Sequence, residues 1–217
     1  MHSCSCNSRY LDAERQFGPE IATRDLERYR RKGPDGASRA LLEALRHQLR
    51  LGDSLLDIGA GVGVLDFELL HMGVNTATLV DASPAYVEAA GREAAQRRLT
   101  DYIQRVVGDF TRLVGVLAPA HVVTLHRVVC CYPDYESLLN AAAKHTRRVL
   151  ALSYPHPRWH IRAWLALENA RRRMIGNPFR VHVHPPAAME RVIIGAGFRR
   201  LGRKSTLIWS IDVYERT

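Results

Sequence analysis

The residues whose types and spacing could do chemistry gather first in one stretch, Asp57-Ile58-Gly59-Ala60-Gly61-Val62-Gly63. An acid stands two places before three glycines set at every second position. Glycine lets the backbone approach a ligand closely and adopt φ values that a side chain forbids. From Val64 to Leu70 the apolar residues fall at helical spacing. The glycines therefore open a helix, whose free N–H groups and positive dipole end face the loop. Ahead of the glycines, Leu55, Leu56 and Ile58 read as a short buried strand. Strand, glycine turn and helix together form a site for a nucleotide cofactor. A dinucleotide fingerprint is G-x-G-x-x-G. Val64 occupies the place of its third glycine, which argues against a nicotinamide cofactor.

Further acids and bases follow at the ends of later strands. Asp81 closes the apolar run Thr76–Val80, 18 positions past Gly63. An acid about twenty positions beyond such a turn accepts hydrogen bonds from ribose hydroxyls. The competing role, capping the next helix, falls to Ser83 ahead of Pro84. That leaves Asp81, with Ala82 beside it, on the cofactor side. A third strand, Tyr102–Val107, ends at Gly108-Asp109-Phe110. There Asp109 either faces the cofactor or caps a helix over Phe110–Leu117. A fourth strand, His121–Leu125, runs into His126–Asp134. Ligands of a doubly wound sheet bind beyond the carboxyl ends of the strands, at the switch point between strands one and four. The stretch 126–134 belongs there.

Imidazole titrates near neutrality and suits a general base. His126 and His184 are the candidates, each set against a packing role. Tyr132 joins them as a catalytic candidate. Trp159 and Trp164 are expected beside it on an aromatic acceptor wall. His182-x-His184 has no third ligand nearby, so no metal is assigned.

Regular elements must position these groups. Helices are expected over Ile21–Lys32 and Ala37–Arg50, parted by Gly33-Pro34-Asp35-Gly36. Others are expected over Pro84–Arg98, Tyr135–His145, Trp159–Met174 and Pro186–Ala196. Arg148–Ser153 is a fifth strand, and Phe179–His184 an extended segment. Gly197–Leu201 and Ser205–Tyr214 close the sheet. The fold expected is α/β: a Rossmann-like, doubly wound, seven-stranded, mostly parallel sheet with an antiparallel C-terminal hairpin. Residues 1–52 form an N-terminal tail and helical cap. Residues 53–217 form the cofactor-binding domain, with 158–184 inserted as a lid. The helix Trp159–Met174 is not needed to build the sheet, and reads either as a substrate lid or as cover for the sheet face.

The D-x-G-x-G-x-G motif, Asp81, Asp109-Phe110 and the closing Ala196-Gly197-Phe198 with two strands resemble the class I S-adenosylmethionine (SAM)-dependent methyltransferases. The resemblance covers roughly residues 53–216. It implies SAM as cofactor, S-adenosylhomocysteine (SAH) as product, and N-terminal helices over the cofactor mouth. On the cofactor side it implies Asp57, Gly59, Ala60, Gly61, Gly63, Asp81, Ala82, Asp109, Phe110, His126 and Arg127. Asp109 would bond the adenine amino group and Phe110 would pack beside the ring. After strand four, Cys131-Tyr132-Pro133-Asp134 is not the D/N-P-P-Y/F motif of amino-group nucleic-acid methyltransferases. The Pro-Cys nucleophile, the paired-Glu loop and the metal-binding acids of other acceptor classes also have no counterpart. Residues 126–134, with the helix behind them, resemble small-molecule methyltransferases, the magnesium-protoporphyrin O-methyltransferase group among them. No substrate is taken from that likeness. The acceptor expected is small, and planar or hydrophobic.

Composition bounds the rest. The chain has 217 residues, 47% hydrophobic and 24% charged, enough for one sizeable α/β core. Its net charge of +9 invites a nucleic-acid partner, but the arginines are scattered along the chain. RNA methylation stays open and is not favoured. No apolar run approaches the length of a membrane span, and Met1–Cys6 lacks the apolar core of a signal peptide, so a cytoplasmic location is expected. Cys4/Cys6 and Cys130/Cys131 lack C-x-x-C spacing. A non-catalytic SAM-binding module and an NAD-dependent oxidoreductase remain as alternatives of other classes.

Overall fold

A computed structural model describes residues 16–217. Cys4 and Cys6 lie outside the described residues. Seven strands form one sheet: β1 (Ser54–Ile58), β2 (Thr76–Asp81), β3 (Ile103–Val107), β4 (Ala120–His126), β5 (Thr146–Pro155), β6 (Phe198–Ser205) and β7 (Trp209–Arg216). Their order is β3-β2-β1-β4-β5-β7-β6. Strands β1 to β5 pair in parallel, and β7 runs antiparallel between β5 and β6. The chain winds outward from β1 to β3, then returns to β4 beside β1, so the switch point lies where the motif reading puts it.

Eight helices of the described residues flank the sheet: α1 (Pro19–Lys32), α2 (Gly36–Arg46), α3 (Val64–His71), α4 (Pro84–Gln96), α5 (Phe110–Leu113), α6 (Tyr135–His145), α7 (Trp159–Met174) and α8 (Pro186–Gly195). A parallel sheet must be covered on both faces. Leu26, Leu41, Leu45, Leu69 and Ala89 from α1 to α4 pack against one face of the sheet. Phe110, Leu138, Leu139, Met189 and Ile193 from α5, α6 and α8 pack on the other. The central strands β1, β4 and β5 are accordingly apolar and buried along nearly their whole length.

Helix ends follow local chemistry. Asp35 caps α2 by accepting from the N–H groups of Ala37 and Ser38, both at 3.0 Å. Ser83 caps α4, and Pro84 takes its first turn. Several expected elements differ; the closing strands, expected over Gly197–Leu201 and Ser205–Tyr214, run Phe198–Ser205 and Trp209–Arg216. Helix α2 ends at Arg46, four residues early, where Asp53 ties the turn by accepting from Arg50 N–H. Helix α5 stops at Leu113, just before the glycine at 115, instead of reaching Leu117. Residues 179–184 join no strand; side-chain bonds hold them instead, as described below.

Candidate functional site

The carboxyl ends of β1, β2, β3 and β4 form the floor of a cavity of about 560 Å³. Its roof comes from Phe17, from Asp25 and Arg28 of α1, from Gly33–Ser38, and from residues 178–182 after α7. Asp57, Gly59, Ala60, Gly61, Asp81, Ala82, Asp109, Phe110, His126, Arg127 and Tyr132 all line this one cavity. Gly63 and His184 lie outside its lining. Gly63 adopts φ 83° and precedes α3, where a Cβ would meet Phe67 and Leu79.

Two of the glycines answer to different demands. Gly59 has φ 69°, and a Cβ there would stand 2.3 Å from Val128 Cγ2. Gly61 has φ 60° and would meet nothing within 4 Å, since it fronts the open cavity. Four loop N–H groups are not free to cradle a phosphate. Those of Gly59 and Ala60 donate to Val80 O, that of Gly63 to Ala60 O, and that of Gly61 to Asp81 Oδ2 at 2.8 Å. These four donors are turned inward, ahead of the helix start. A phosphate site needs the opposite arrangement.

Carboxyls dominate the floor instead. Asp81 Oδ1 accepts from Ser83 N–H at 2.8 Å while Oδ2 accepts from Gly61. Each oxygen keeps a further lone pair, since a carboxylate offers about four acceptor sites. Burial pushes Asp81 up to about 6 against the pull of those two N–H groups. Asp57 accepts from Thr124 Oγ at 2.5 Å, and burial lifts it to about 7. Behind it, Asp66 of α3 is 0% exposed and faces the Asp57 carboxyl, a group that brings it no donor while both are ionised. Burial first, and the Asp57 charge second, hold the Asp66 carboxyl well above the usual range. Asp109 Oδ1 caps α5 through Thr111 N–H and also accepts from Tyr132 OH at 2.8 Å. Phe110 is 1% exposed; it lines the cavity, and its ring meets His145 edge-on at 5.4 Å.

The base candidates are occupied. His126 Nδ1 lies 2.9 Å from Ser153 Oγ, and Nε2 lies 3.1 Å from Ser38 Oγ. Burial first, then the Arg127 charge, pull it down to about 3, so the ring stays neutral at physiological pH. It is a strut between floor and roof. His184 Nε2 bonds Tyr132 O at 2.8 Å, and its ring packs on Tyr135 at 4.5 Å. Burial, then Asp109, push the Tyr132 hydroxyl above its ordinary range. Cys131 lines the cavity, and its thiol is pushed well up by its bond with Cys130 and by burial. Trp159 and Trp164, expected on the acceptor wall, are 80% and 53% exposed and away from the cavity. The part of 158–184 that reaches the cavity is 178–182, not the helix. Among the described residues no three His, Cys, Asp or Glu side chains gather as a metal set.

Several residues here carried no periodic signal. Arg127 adopts φ 63° and turns its guanidinium onto Asp35, 2.8 Å from both carboxylate oxygens. Burial would raise Asp35, but the Ser38 N–H and Arg127 outweigh it and hold the carboxyl at about 2. Arg127 also lies over Trp209 at 4.9 Å. Phe17 meets Phe179 edge-on at 5.2 Å, and Asn177 bonds Gln16 at 2.9 Å, joining the two parts of the roof. Of these, Arg127 is expected on the cofactor side after strand four, and Asp35 in the turn that parts the first two helices.

Buried carboxyls facing a cavity suit a ligand that brings hydroxyl donors and positive charge. A ribose and a sulfonium, as in SAM, fit that floor. Residues 55–151 match a family described as "Methyltransferase domain". Human EEF1A lysine methyltransferase 2 is 28% identical over 116 residues, which cover 50% of this chain and 49% of that protein. A ribosomal protein L11 methyltransferase of Bacillus cereus is 25% identical over 96 residues, 43% of this chain and 30% of the relative. The chain thus matches about half or less of these curated relatives. Magnesium protoporphyrin IX methyltransferase from Synechocystis PCC 6803, solved with bound SAH, superposes with a TM-score of 0.70 at 19% identity. That likeness covers 91% of this chain and 96% of the other. The same enzyme with bound SAM gives a TM-score of 0.65. With the sheet order, the glycine loop and the carboxyl floor already in place, residues 55–151 match a methyltransferase domain, and the chain shares the fold of methyltransferases solved with bound SAH and SAM.

Proposed function

We propose that this chain transfers a methyl group from SAM to a small-molecule acceptor. One observation carries the reading: the cofactor floor lies under a roof built from the chain's own α1–α2 segment and residues 178–182, leaving about 560 Å³. Cavities of roughly 300–1,000 Å³ hold small ligands. In this reading Asp81 accepts the ribose hydroxyls on its spare lone pairs and Asp109 the adenine amino group. The Gly59–Gly61 loop backs the amino-acid part of the cofactor, near Asp57. Bound SAM supplies an activated methyl group. The chain's own residues then chiefly orient the acceptor and exclude water. His126, His184 and Tyr132 are committed to Ser153 and Ser38, to Tyr132 O, and to Asp109. They act as positioning groups that fix the cavity walls. The exposed tryptophans give no support to their part of an aromatic acceptor wall; Phe17, Tyr29, Tyr86, Phe110, Tyr132 and Phe179 are the aromatic rings that line the cavity.

Titration calorimetry of the purified chain with SAM, SAH and NADH tests the cofactor assignment. Micromolar binding of SAM and SAH with no NADH heat is expected. NADH binding, or no SAM binding by a folded protein, overturns it.

A further inference from the structure

The floor of the cavity is acidic, with Asp57, Asp81 and Asp109; the roof carries both signs, Arg28 and Arg180 beside Asp25 and Asp35. The remaining lining arginine, Arg127, is neutralised by Asp35. Arg28 has only a loose partner, Asp25, at 3.7 Å. Arg180 has no carboxylate partner at all among the described residues.

Arg180 is nonetheless held in place. Its Nη1 donates to the carbonyl oxygens of Asn177 at 2.5 Å and Phe179 at 2.8 Å. Those contacts leave the rest of the guanidinium fork uncommitted. The backbone around it is pinned on three sides. Asn169 of α7 brackets Val181, accepting from its N–H and donating to its carbonyl, at 3.0 and 2.7 Å. His182 N–H donates to Cys130 O at 2.7 Å, and Asn177 bonds Gln16. A half-buried guanidinium fixed by its own backbone, with donors to spare beside a cavity, is preorganised for a carboxylate.

Resting on the methyltransferase reading above, we propose that the acceptor is an organic acid whose carboxylate is bound by Arg180, with Arg28 as a second positive group on the roof. The acidic floor repels that carboxylate from the cofactor's place, and the Arg180 guanidinium attracts it. The acceptor is thereby oriented with its anionic end away from Asp57 and Asp81. Arg180 is a specificity residue in this scheme and takes no part in methyl transfer itself.

The test uses the full chain saturated with SAH and two fluorescent probes of matched shape, pyrenebutyrate and pyrenebutanol. The acid is expected to bind about tenfold or more tightly than the alcohol, the usual effect of a charge-assisted bidentate contact. Arg180→Gln should bring the ratio close to one, and Arg180→Lys should restore part of it. Arg199→Ala, an exposed arginine paired with Glu215 on β7, should leave the ratio unchanged and controls for the overall positive charge. Melting curves confirm that each variant is folded. Equal affinities, no binding of the acid, or a preference that survives Arg180→Gln overturns the proposal while SAH binding stands. Failure of SAH to bind overturns the methyltransferase reading itself.

Discussion

Asp81 joins sequence, fold and chemistry in a single side chain. It ends β2, fixes the glycine loop through Gly61 and starts α4 through Ser83 N–H. Asp81→Ala should weaken SAM binding on the order of tenfold or more, since each hydrogen bond to a charged group contributes about 1.5–3 kcal/mol. Calorimetry on the folded variant reads this directly, and an unchanged affinity removes Asp81 from the site. Asp66 poses the opposite case, a buried acid facing a second carboxyl. Asp57, Asp66 and Asp81 are all raised in the folded chain, from an ordinary value of 3.8 to about 7 for Asp57 and about 6 for Asp81. Between those limits the native state binds more protons than the unfolded chain. Stability should therefore fall as pH rises from about 4 through 7. Asp66→Asn removes one of these acids and supplies a donor. It should raise the melting temperature at pH 8 and give little change at pH 4. For a chain of this size, a gain of about 1 kcal/mol appears as roughly 2–4 °C. A variant less stable at pH 8 than at pH 4, relative to the parent, contradicts this. Residue-scale placement was legible where a strand end, a glycine spacing or a cap fixed it, as at Gly61 and Asp81 in the cavity lining and at Ser83 before α4. The role was not legible at His126. Its partners, Ser38 and Ser153, are 88 and 27 positions away in sequence, and only the tertiary fold reveals that both nitrogens are taken.

At the scale of elements, the roof decides what the site can hold. Helix α1 docks through Tyr29 OH on Glu68 and Arg30 on Glu93, both at 2.7 Å. The turn before α2 is latched by Asp35 to Arg127, which has both partners about one-third exposed. Asp35 also caps α2, so its two roles must be separated. Asp35→Asn keeps a good cap and loses the charge pair; Asp35→Ala loses both. Asp35→Ala should cost about 1 kcal/mol more stability than Asp35→Asn, while both should speed SAM release to a similar degree. Stopped-flow dissociation with parallel melting curves checks this. Release unchanged in both variants means the latch does not govern the roof. The longer helices and the central strands were readable from their apolar patterns, because they bury continuous apolar runs or stripes. The segment 177–182 was not. It has no repeating pattern and is held by Asn169, Cys130 and Gln16, contacts that no local signal encodes. Helix α7 misled for a related reason. Its tryptophans mimic a pocket wall in sequence, yet Ile161 and Leu165 are the residues it buries.

For the whole molecule, some arginines pair with acids across elements, such as Arg148 with Asp53 and Arg203 with Asp212, and the net charge of +9 is the basic surplus left beyond such pairs. No helix among the described residues is long and apolar enough to cross a membrane. The sheet order and switch point were legible because topology rules leave few alternatives once five βα units are recognised. The central claim is that SAM methylates a small acceptor enclosed by the roof. The direct measurement incubates the chain with methyl-tritiated SAM and a cell extract divided into small-molecule, protein and RNA fractions. The account predicts label in the small-molecule fraction, lost with Asp81→Ala. Label confined to protein or to RNA would contradict it.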